Sequence, residues 1–219
     1  MAAARGWDGC MTTQQVVARQ AAQFDVGKLN RRDLDSDPLI QFHAWFSEPA
    51  LRGTVPETCT LSTAQLPSGR VSSRVVYLKE LDSRGFVVYS NWETSNKAKD
   101  FATNGWVSLC FWWKPLERQV RVEGRGERLS DAESQVYFDT RARGSRIGAW
   151  ASRQSEDRVK EAEKRFEGQD HIPVPPFWGG FRVVPDMIEF WQGRESRLHD
   201  RFRYTLLEGG SWRLERVNP

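Results

Sequence analysis

The sequence is poor in the residues that build disulfide frameworks and metal sites. Its three cysteines are scattered, odd in number and never arranged as CxxC, so neither a disulfide framework nor a zinc site is indicated. The three histidines lie too far apart along the chain to predict a metal cluster. We therefore expect no metal cofactor, and a reducing compartment fits the cysteine usage.

Long apolar runs and a strong charge imbalance are also absent. No apolar run approaches the length of a membrane span, and the first ten residues lack the apolar stretch of a secretory signal. The formal net charge is only +3, whereas a dedicated nucleic-acid-binding domain is usually more basic, with its positive charge concentrated on one face. These absences predict a cytoplasmic protein without a membrane or nucleic-acid partner.

Glycine-rich phosphate loops and common hydrolase motifs are missing as well. No GxGxxG follows a predicted strand, no Walker A sequence is present, and neither GxSxG nor HExxH occurs. A bound phosphate would therefore be held by separate cations and hydroxyls. Aromatic residues, by contrast, are abundant, and the ten Trp and twelve Phe suit both a large core and a flat cofactor.

The hydrophobic pattern predicts one large domain, residues 31–219, after a mobile N-terminal segment, residues 1–30. Alternation of period two, bounded by turn residues, predicts strands over residues 58–66, 71–79, 85–90, 107–113, 119–123, 180–184, 187–191, 202–207 and 212–217. Capping signals and helical spacing predict helices over residues 37–46, 95–103, 130–141 and 147–167. Many short strands with a few helices predict an α+β fold around an antiparallel β-barrel.

Three stretches carry groups suited to an anionic ligand, and the first spans residues 74–79. Arg74 and Lys79 lie at its two ends, and in a regular strand they would point to opposite faces because their spacing is odd. One flat site could use both only if a bulge or a second subunit intervened. Taken alone, the stretch favours a strand whose charged ends face water.

The second stretch places Tyr137 and Arg141 four residues apart, and therefore on one helix face. Ser145 follows beyond a glycine. A guanidinium fork, a phenol and a hydroxyl together suit a phosphate. Cations near a helix C-terminus are also favoured by the helix dipole alone, so the residues leave the two interpretations equally open.

The third stretch, residues 189–201, packs Trp191, His199 and three arginines into a tight turn between two predicted strands. Surface loops rarely need that mixture, which predicts a site for an anionic planar ligand. His199 could exchange protons near neutral pH, although a single histidine is more often structural. The alternative is a basic loop beside a core tryptophan.

These stretches closely resemble the pyridoxine/pyridoxamine 5'-phosphate oxidase family. The resemblance runs from about Leu29 to the C-terminus, and its landmarks are SGRVSSRVVYLKELDSRGFVVYSN, ERQVRVEG, RGSRIGAWASRQS, FWGGFRV and IEFWQGRESRLHDRF. It implies the FMN-binding split-barrel fold, α+β with flanking helices, in a homodimer that holds two FMN molecules at the subunit interface. A shared site of that kind would draw on several faces and so use both Arg74 and Lys79.

The resemblance also implies the residues of the site. The implied FMN-binding positions are Arg74, Val75, Val76, Tyr77, Leu78, Lys79, Tyr89, Ser90, Lys97, Gln119, Gln154, Ser155, Trp191 and Arg201. The implied substrate-binding positions are Lys79, Tyr137, Arg141, Ser145, Arg197, Leu198 and His199. The first four of these would hold the substrate phosphate. Arg197 and His199 would be the catalytic residues and would cover the pyridine ring.

The implied reaction is the oxidation of pyridoxamine 5'-phosphate or pyridoxine 5'-phosphate to pyridoxal 5'-phosphate, a step of vitamin B6 salvage. Hydride would pass from the substrate C4' carbon to flavin N5, and oxygen would reoxidise the flavin and yield hydrogen peroxide. The amine substrate would also release ammonia. The alternative from another class is a non-catalytic member that binds FMN or pyridoxal phosphate as a carrier or sensor, whereas the low net charge disfavours a nucleic-acid-binding module.

Several features depart from the family pattern. Asn96-Lys97 stands where the family has an Arg–Lys pair for the FMN phosphate, and the loss of one charge-assisted contact costs about 1–3 kcal/mol. We therefore predict weaker FMN binding than is typical of the family. Ala21 and Phe24 stand where a segment that covers the substrate usually carries Arg and Tyr. Residues 156–172 are shorter than the matching family region by roughly two helical turns.

Overall fold

The structure is a computed structural model that describes residues 24–151 and 156–218. Its strands are β1 (Thr58–Gln65), β2 (Arg70–Tyr77), β3 (Glu80–Asp82), β4 (Gly85–Asn91), β5 (Trp106–Trp113), β6 (Arg118–Arg128), β7 (Trp178–Gln192), β8 (Asp200–Leu206) and β9 (Trp212–Arg216). Its α-helices are α1 (Pro38–Phe46), α2 (Asn96–Thr103), α3 (Asp131–Thr140), α4 (Arg143–Trp150) and α5 (Glu156–Arg165). Short 3-10 helices lie at Arg31–Asp33, Pro49–Leu51, Lys114–Leu116 and Glu195–Arg197.

The strands form one antiparallel sheet that forks at β7. The main path runs β2-β1-β5-β6-β7-β4-β3, and β6 pairs with β7 along most of one edge. On the other edge of β7, residues 178–183 pair with β4, while residues 187–192 pair with β8, which pairs in turn with β9. The sheet therefore divides into one branch with β4 and β3 and another with β8 and β9.

A β-bulge marks the point where the sheet forks. Glu123 and Gly124 of β6 lie opposite Met187 and Pro185 of β7, so Asp186 has no partner on β6. Proline has no backbone N–H to donate to a strand ladder, so within a sheet it is found at irregular positions such as this bulge. One extra residue on β7 bends the strand and shifts its register by one.

The bulge allows both halves of β7 to face the same core. Phe181 and Val183 are buried before it, and Ile188 and Phe190 are buried after it. All four belong to one apolar cluster, although odd positions point inward in the first half and even positions in the second. Without the extra residue at Asp186, strict alternation would turn one of the two pairs to the other face.

The helix signals in the sequence are confirmed at the starts of α1 and α3. The Asp37 carboxylate accepts a hydrogen bond of 2.8 Å from the backbone N–H of Leu39, directly before α1. Ser130 and Glu133 form the predicted capping box of α3. Such caps satisfy backbone donors that the first helical turn leaves free, so helix starts could be placed from short-range sequence signals.

Three predicted boundaries are wrong, each for a local reason. The strands predicted over residues 180–184 and 187–191 are one continuous strand, because the bulge breaks the alternation without ending the pairing. The helix predicted over residues 147–167 is instead α4, which begins at Arg143, and the separate α5. The strand predicted to end at Lys79 ends at Tyr77, and the three-residue β3 was not predicted because it is too short to show alternation.

Two apolar clusters hold the helices in place. In the larger one, Phe42 of α1 packs with its ring centre 4.9 Å from those of Phe86 and of Phe111, so α1 covers the buried face of the sheet. In the smaller one, residues of α3, α4 and α5 surround Phe138 and Trp178. This second cluster places the three helices beside the start of β7.

Residues 24–30 lie beside the C-terminal end of β7, where Gln192 pairs with Arg118 and with Asp200. The backbone N–H of Val26 donates to Glu117, and that of Leu29 donates to Asp200 at 3.1 Å. Leu29 is buried. The division into a segment 1–30 and a domain 31–219 stays a prediction, and no α-helix within the described ranges is long and apolar enough to cross a membrane.

We predict that Gly124→Ala destabilises the protein through the bulge. A Cβ at this position would lie 2.1 Å from the Val184 carbonyl oxygen, and overpacking of this kind costs about 1–3 kcal/mol, occasionally more. Gly144→Ala is the matched control, since a Cβ there meets nothing within 4 Å and alanine favours the interior of α4. Urea unfolding at one fixed protein concentration checks both variants. An unchanged midpoint for Gly124→Ala would contradict the packing at the bulge.

Candidate functional site

A pocket of about 330 Å3 lies between β2 and β4 and is closed by α2 and α3. This β2–β4 pocket is lined by Arg74, Val75, Val76, Tyr77, Lys79, Tyr89, Ser90, Lys97, Tyr137, Arg141 and Trp178. All of these except Trp178 are residues for which the sequence resemblance implies a role with FMN or substrate. The fold thus brings together, in one chain, residues from separate parts of the sequence.

Arg74 and Lys79 line the same pocket although a regular strand would point them to opposite faces. β2 ends at Tyr77, and the next residue, Leu78, is buried with its backbone N–H bonded to the Glu57 carbonyl. The Lys79 Nζ then lies 5.0 Å from the centre of the Tyr77 ring. The end of the strand therefore lets both residues line one pocket within a single chain, where the sequence had suggested a bulge or a second subunit.

Arg141 follows the last residue of α3 and lies at the deep side of the β2–β4 pocket. Its guanidinium carbon is 4.8 Å from the centre of the Trp178 ring, and its buried Nη1 has no hydrogen-bond partner among the described residues. An unsatisfied buried donor is unfavourable by about 1–3 kcal/mol, and by more for a charged group. Arg141 also borders an adjoining cavity of about 470 Å3, which Ser145 of α4 lines.

The charges around the β2–β4 pocket favour an anion. Four cations, Arg74, Lys79, Lys97 and Arg141, line it, and no carboxylate occurs among its described lining residues. Burial, followed by repulsion from Arg74, lowers the pKa of Lys97, and burial lowers the pKa of Arg141. Because like charges held together away from water repel each other, a multiply charged anion bound here relieves that repulsion.

Two stacked phenols, Tyr89 and Tyr137, form part of the aromatic wall of this pocket. The rings of Tyr89 and Tyr137 stack with their centres 4.0 Å apart. Burial, and then the hydrogen bond of 2.7 Å that the Tyr89 hydroxyl donates to Glu80, raise the pKa of Tyr89. Burial also raises the pKa of Tyr137. Both phenols therefore stay protonated at neutral pH.

A second group of predicted residues lies on β6, β7 and β8 and does not line either cavity. Gln119 pairs with Trp191 across β6 and β7, and Trp191 pairs with Arg201 across β7 and β8. The His199 ring lies 4.5 Å from that of Trp191, and Phe24 packs edge-on at 5.5 Å from Trp191 and 5.7 Å from His199. These five residues form the C-terminal cluster.

His199 is held in one tautomer by the backbone. The backbone N–H of Arg194 donates to His199 Nδ1 at 3.1 Å, so the neutral ring carries its proton on Nε2. Burial, followed by the charges of Arg197 and Arg201, lowers the pKa of His199. The ring therefore presents an Nε2–H donor at neutral pH rather than a positive charge.

A buried carboxylate orients Arg201. Glu189 is only 1% exposed, and Arg201 Nη2 donates to both of its oxygens at 3.0 Å. Arg203 and Arg121 approach the same carboxylate at 3.4 and 3.6 Å. The buried Arg201 Nε has no partner among the described residues. Three arginines therefore surround the Glu189 carboxylate, of which Arg121 is also paired with Glu123, and the net charge beside the C-terminal cluster is positive.

The remaining predicted residues lie either on the turn before β8 or outside the described residues. Arg197 and Leu198 are exposed on the turn before β8, and Arg197 has a φ of 61° in the left-handed region. Gln154, Ser155 and Ala21 lie outside the described residues. Within the described ranges, no three His, Cys, Asp or Glu side chains are grouped so that they could hold a metal ion.

Two contributors were not assigned from the sequence. Trp178 lines both cavities, and Glu189 holds Arg201. Both stand in landmarks of the resemblance, FWGGFRV and IEFWQGRESRLHDRF. The spacing of Glu189 two residues before Trp191 on one strand was the available signal, because residues two apart share a face.

Solved structures with the same fold place this antiparallel sheet and its flanking helices in the class of FMN-binding split barrels. PhzG from Burkholderia lata, solved with tetrahydrophenazine-1-carboxylic acid, is 26% identical with a TM-score of 0.79, and the match covers 90% of this chain and 100% of that one. A Nostoc punctiforme protein described as pyridoxamine 5'-phosphate oxidase-related and FMN-binding shares the fold at 16% identity, with a TM-score of 0.69 and coverage of 84% and 98%.

Sequence comparisons narrow the class to one family. The model described as pyridoxamine 5'-phosphate oxidase matches residues 49–168, and that of the pyridoxine 5'-phosphate oxidase C-terminal dimerisation region matches residues 178–219. The pyridoxamine 5'-phosphate oxidase of Saccharomyces cerevisiae is 50% identical over 93% of this chain and 95% of its own. The probable pyridoxamine 5'-phosphate oxidase of Schizosaccharomyces pombe is 53% identical with the same coverage. The chain belongs to the pyridoxamine 5'-phosphate oxidase family.

We predict that His199 titrates below the ordinary histidine value of about 6.5 and carries its neutral proton on Nε2. Burial and two nearby arginines disfavour the charged form, so Arg197→Ala should move the titration midpoint upward. Two-dimensional proton–nitrogen spectra of histidine-labelled protein measure both properties, with His199→Gln as the control that assigns the signal. A midpoint at or above 6.5, or a proton on Nδ1, would contradict the geometry.

Proposed function

We propose that this protein oxidises pyridoxamine 5'-phosphate or pyridoxine 5'-phosphate with oxygen, yielding pyridoxal 5'-phosphate and hydrogen peroxide, and ammonia from the amine. The observation that carries the proposal is the β2–β4 pocket, where four cations and three phenols line the wall and no carboxylate occurs among the described lining residues. Relatives at 50% and 53% identity bear the name pyridoxamine 5'-phosphate oxidase or probable pyridoxamine 5'-phosphate oxidase. The role is one in vitamin B6 salvage, and a cytoplasmic location stays a prediction.

FMN is the cofactor of this family, and the residues present fit it. The buried Nε of Arg201 is a donor without an acceptor among the described residues, while Arg74 and Lys97 are cations suited to a phosphate dianion. Bound FMN supplies the acceptor for the two electrons of the oxidation. Val75, Val76, Tyr77, Tyr89 and Ser90 would line its binding position.

The chain's own residues would bind and orient the substrate. Arg141, with Lys79, Tyr137 and Ser145 nearby, would hold the substrate phosphate by charge-assisted hydrogen bonds. Arg197 would orient the ring, and His199 Nε2–H would donate a hydrogen bond to a ring substituent. Holding the reacting atoms together lowers the entropic part of the barrier.

We further propose that a homodimer completes the site. The β2–β4 pocket and the C-terminal cluster share no residue, and the strands β4 and β8 that contribute to them pair with different halves of β7. Trp191, His199 and Arg201 of this cluster fall in the region that matches a family dimerisation model. In a homodimer the cluster of one subunit would close the pocket of its partner. Gln119, Trp191 and Arg201 would then contact the same FMN as Arg74.

The alternative is a non-catalytic member that binds FMN or pyridoxal phosphate as a carrier or sensor. A protein of that kind needs the β2–β4 pocket but not an oriented histidine. The hydrogen bond that fixes His199 in its Nε2–H tautomer and the adjacent Arg197 therefore favour the oxidase.

We predict that purified protein with excess FMN converts pyridoxamine 5'-phosphate to pyridoxal 5'-phosphate in air. Arg197→Ala should lower the rate by about 100-fold, because a lost orienting contact misplaces the reacting atoms. Arg213→Ala is the matched control, since Arg213 is exposed on β9 and paired with Glu215. Absorbance of the product and a peroxide assay measure the rate. If the protein binds FMN but forms no product, the oxidase proposal is contradicted and the carrier or sensor is favoured.

We also predict that Asn96→Arg tightens FMN binding by about tenfold, the effect of one added charge-assisted hydrogen bond. Asn96 is exposed at the first turn of α2, directly before Lys97. Ala102→Arg adds the same charge to the last turn of α2 and should leave the dissociation constant unchanged. Quenching of flavin fluorescence in a titration gives both constants, and equal values for the two variants would refute a phosphate contact at position 96.

A further inference from the structure

Arg74 is held inside the β2–β4 pocket by a closed ring of hydrogen bonds. Its Nη1 donates to Thr63 Oγ1 at 2.8 Å, and its Nη2 donates to Ser72 Oγ at 2.6 Å. Both hydroxyls donate in turn to one oxygen of Asp100, Thr63 at 2.6 Å and Ser72 at 2.7 Å. The Leu61 carbonyl accepts a further bond from Nη1 at 3.2 Å.

The carboxylate decides the direction of every bond in this ring. Asp100 is only 8% exposed, and hydrogen bonds from Ser72 and then Thr63 lower its pKa, so it stays ionised and can only accept. Each hydroxyl has one proton, which it gives to Asp100, and its lone pairs therefore remain for Arg74. A neutral group in place of the carboxylate would leave both hydroxyls free to rotate.

The ring leaves part of the guanidinium available. Three of its five N–H bonds are committed to Leu61, Thr63 and Ser72, and Asp100 itself stands back at 3.9 Å from Nη2. The remaining donors are Nε–H and one Nη2–H, which lie along one edge of the fork. That edge has the geometry for a bidentate contact with a phosphate or carboxylate.

We propose that Asp100, acting through Ser72 and Thr63, is a positioning residue that aims Arg74 at the phosphate of the bound cofactor. The inference rests on the proposed function, because it assigns the anionic end of FMN to Arg74 and Lys97. Lys97 lies one turn before Asp100 on α2, so the same helix supplies one cation directly and fixes a second through its carboxylate. An arginine has several freely rotating bonds, and holding it in place before binding removes an entropic cost of binding.

The chain offers a matched pair of variants. Ser72 and Ser73 are adjacent on β2 and point to opposite faces, and Ser73 Oγ lies 2.8 Å from Ser62 Oγ on the face away from Asp100. Ser72→Ala and Ser73→Ala each remove one hydroxyl and no charge, but only the first opens the ring around Arg74. Asp100→Asn keeps the shape of the side chain and removes its charge.

The test is a fluorescence titration of each full-length variant with FMN and with riboflavin, which lacks the phosphate. We expect Ser72→Ala and Asp100→Asn to weaken FMN binding by about tenfold, to change riboflavin binding by less than about twofold, and to match Ser73→Ala in thermal unfolding. In an Arg74→Ala background, adding Ser72→Ala should have no further effect, since the residue that it positions is gone.

The outcomes distinguish a failure of the proposed function from a failure of the positioning role of Asp100. Wild-type protein that binds no FMN would refute the proposed function together with this inference. Wild-type protein that binds FMN, with Ser72→Ala equal to Ser73→Ala, would overturn the positioning role alone. Tighter FMN binding in Asp100→Asn would also overturn it, because Asp100 would then act only as a competing negative charge near Arg74. An equal loss for FMN and riboflavin would indicate a general packing defect and not a phosphate contact.

Discussion

The forked pairing of β7 is the constraint on which the other features depend. One edge of this strand serves β4 in its first half and β8 in its second half, while the bulge at Asp186 keeps both halves on the same core. The β4 branch carries Tyr89 and Ser90, which line the β2–β4 pocket together with Trp178 at the start of β7. The β8 branch carries His199 and Arg201. Both groups of side chains are therefore positioned by one continuous backbone.

The protein holds two of the arginines that are predicted to bind FMN in two different ways. Arg201 is clamped directly by the carboxylate of Glu189, with two hydrogen bonds of 3.0 Å. Arg74 is held indirectly. It donates hydrogen bonds to the hydroxyls of Thr63 and Ser72, and the more distant Asp100 carboxylate orients those hydroxyls. The indirect arrangement has a physical advantage inside an anion pocket, because a carboxylate in direct contact would compete with the ligand for the same guanidinium edge.

Much of the fold could be predicted because its signals are local. The Asp37 and Ser130 caps, the turn before β2 and the alternation along β6 each depend on a few adjacent residues. The resemblance assigned a binding role to every residue that lines the β2–β4 pocket except Trp178, and those roles stay predictions. The ring around Arg74 could not be predicted, since Thr63, Ser72 and Asp100 come from three elements and none carries a motif.

The continuity of β7 was also beyond the sequence pattern. A bulge interrupts the alternation in the same manner as a turn, so residues 180–184 and 187–191 read as separate strands although their pairing with β6 continues. The same holds for Lys79, whose face depends on where β2 stops. Strand ends are decided by the pairing partner, and the partner is distant in sequence.

Trp178 stands in the region that matches the family's dimerisation model, yet its ring forms a wall of the β2–β4 pocket. The border between the two halves of the family pattern therefore does not coincide with the border between the two branches of the sheet. A recombination event that exchanged the C-terminal region as a unit would also replace a wall of the pocket. Substitutions in the two regions are therefore expected to be coupled, because Trp178 closes a pocket whose other lining residues all belong to the N-terminal region.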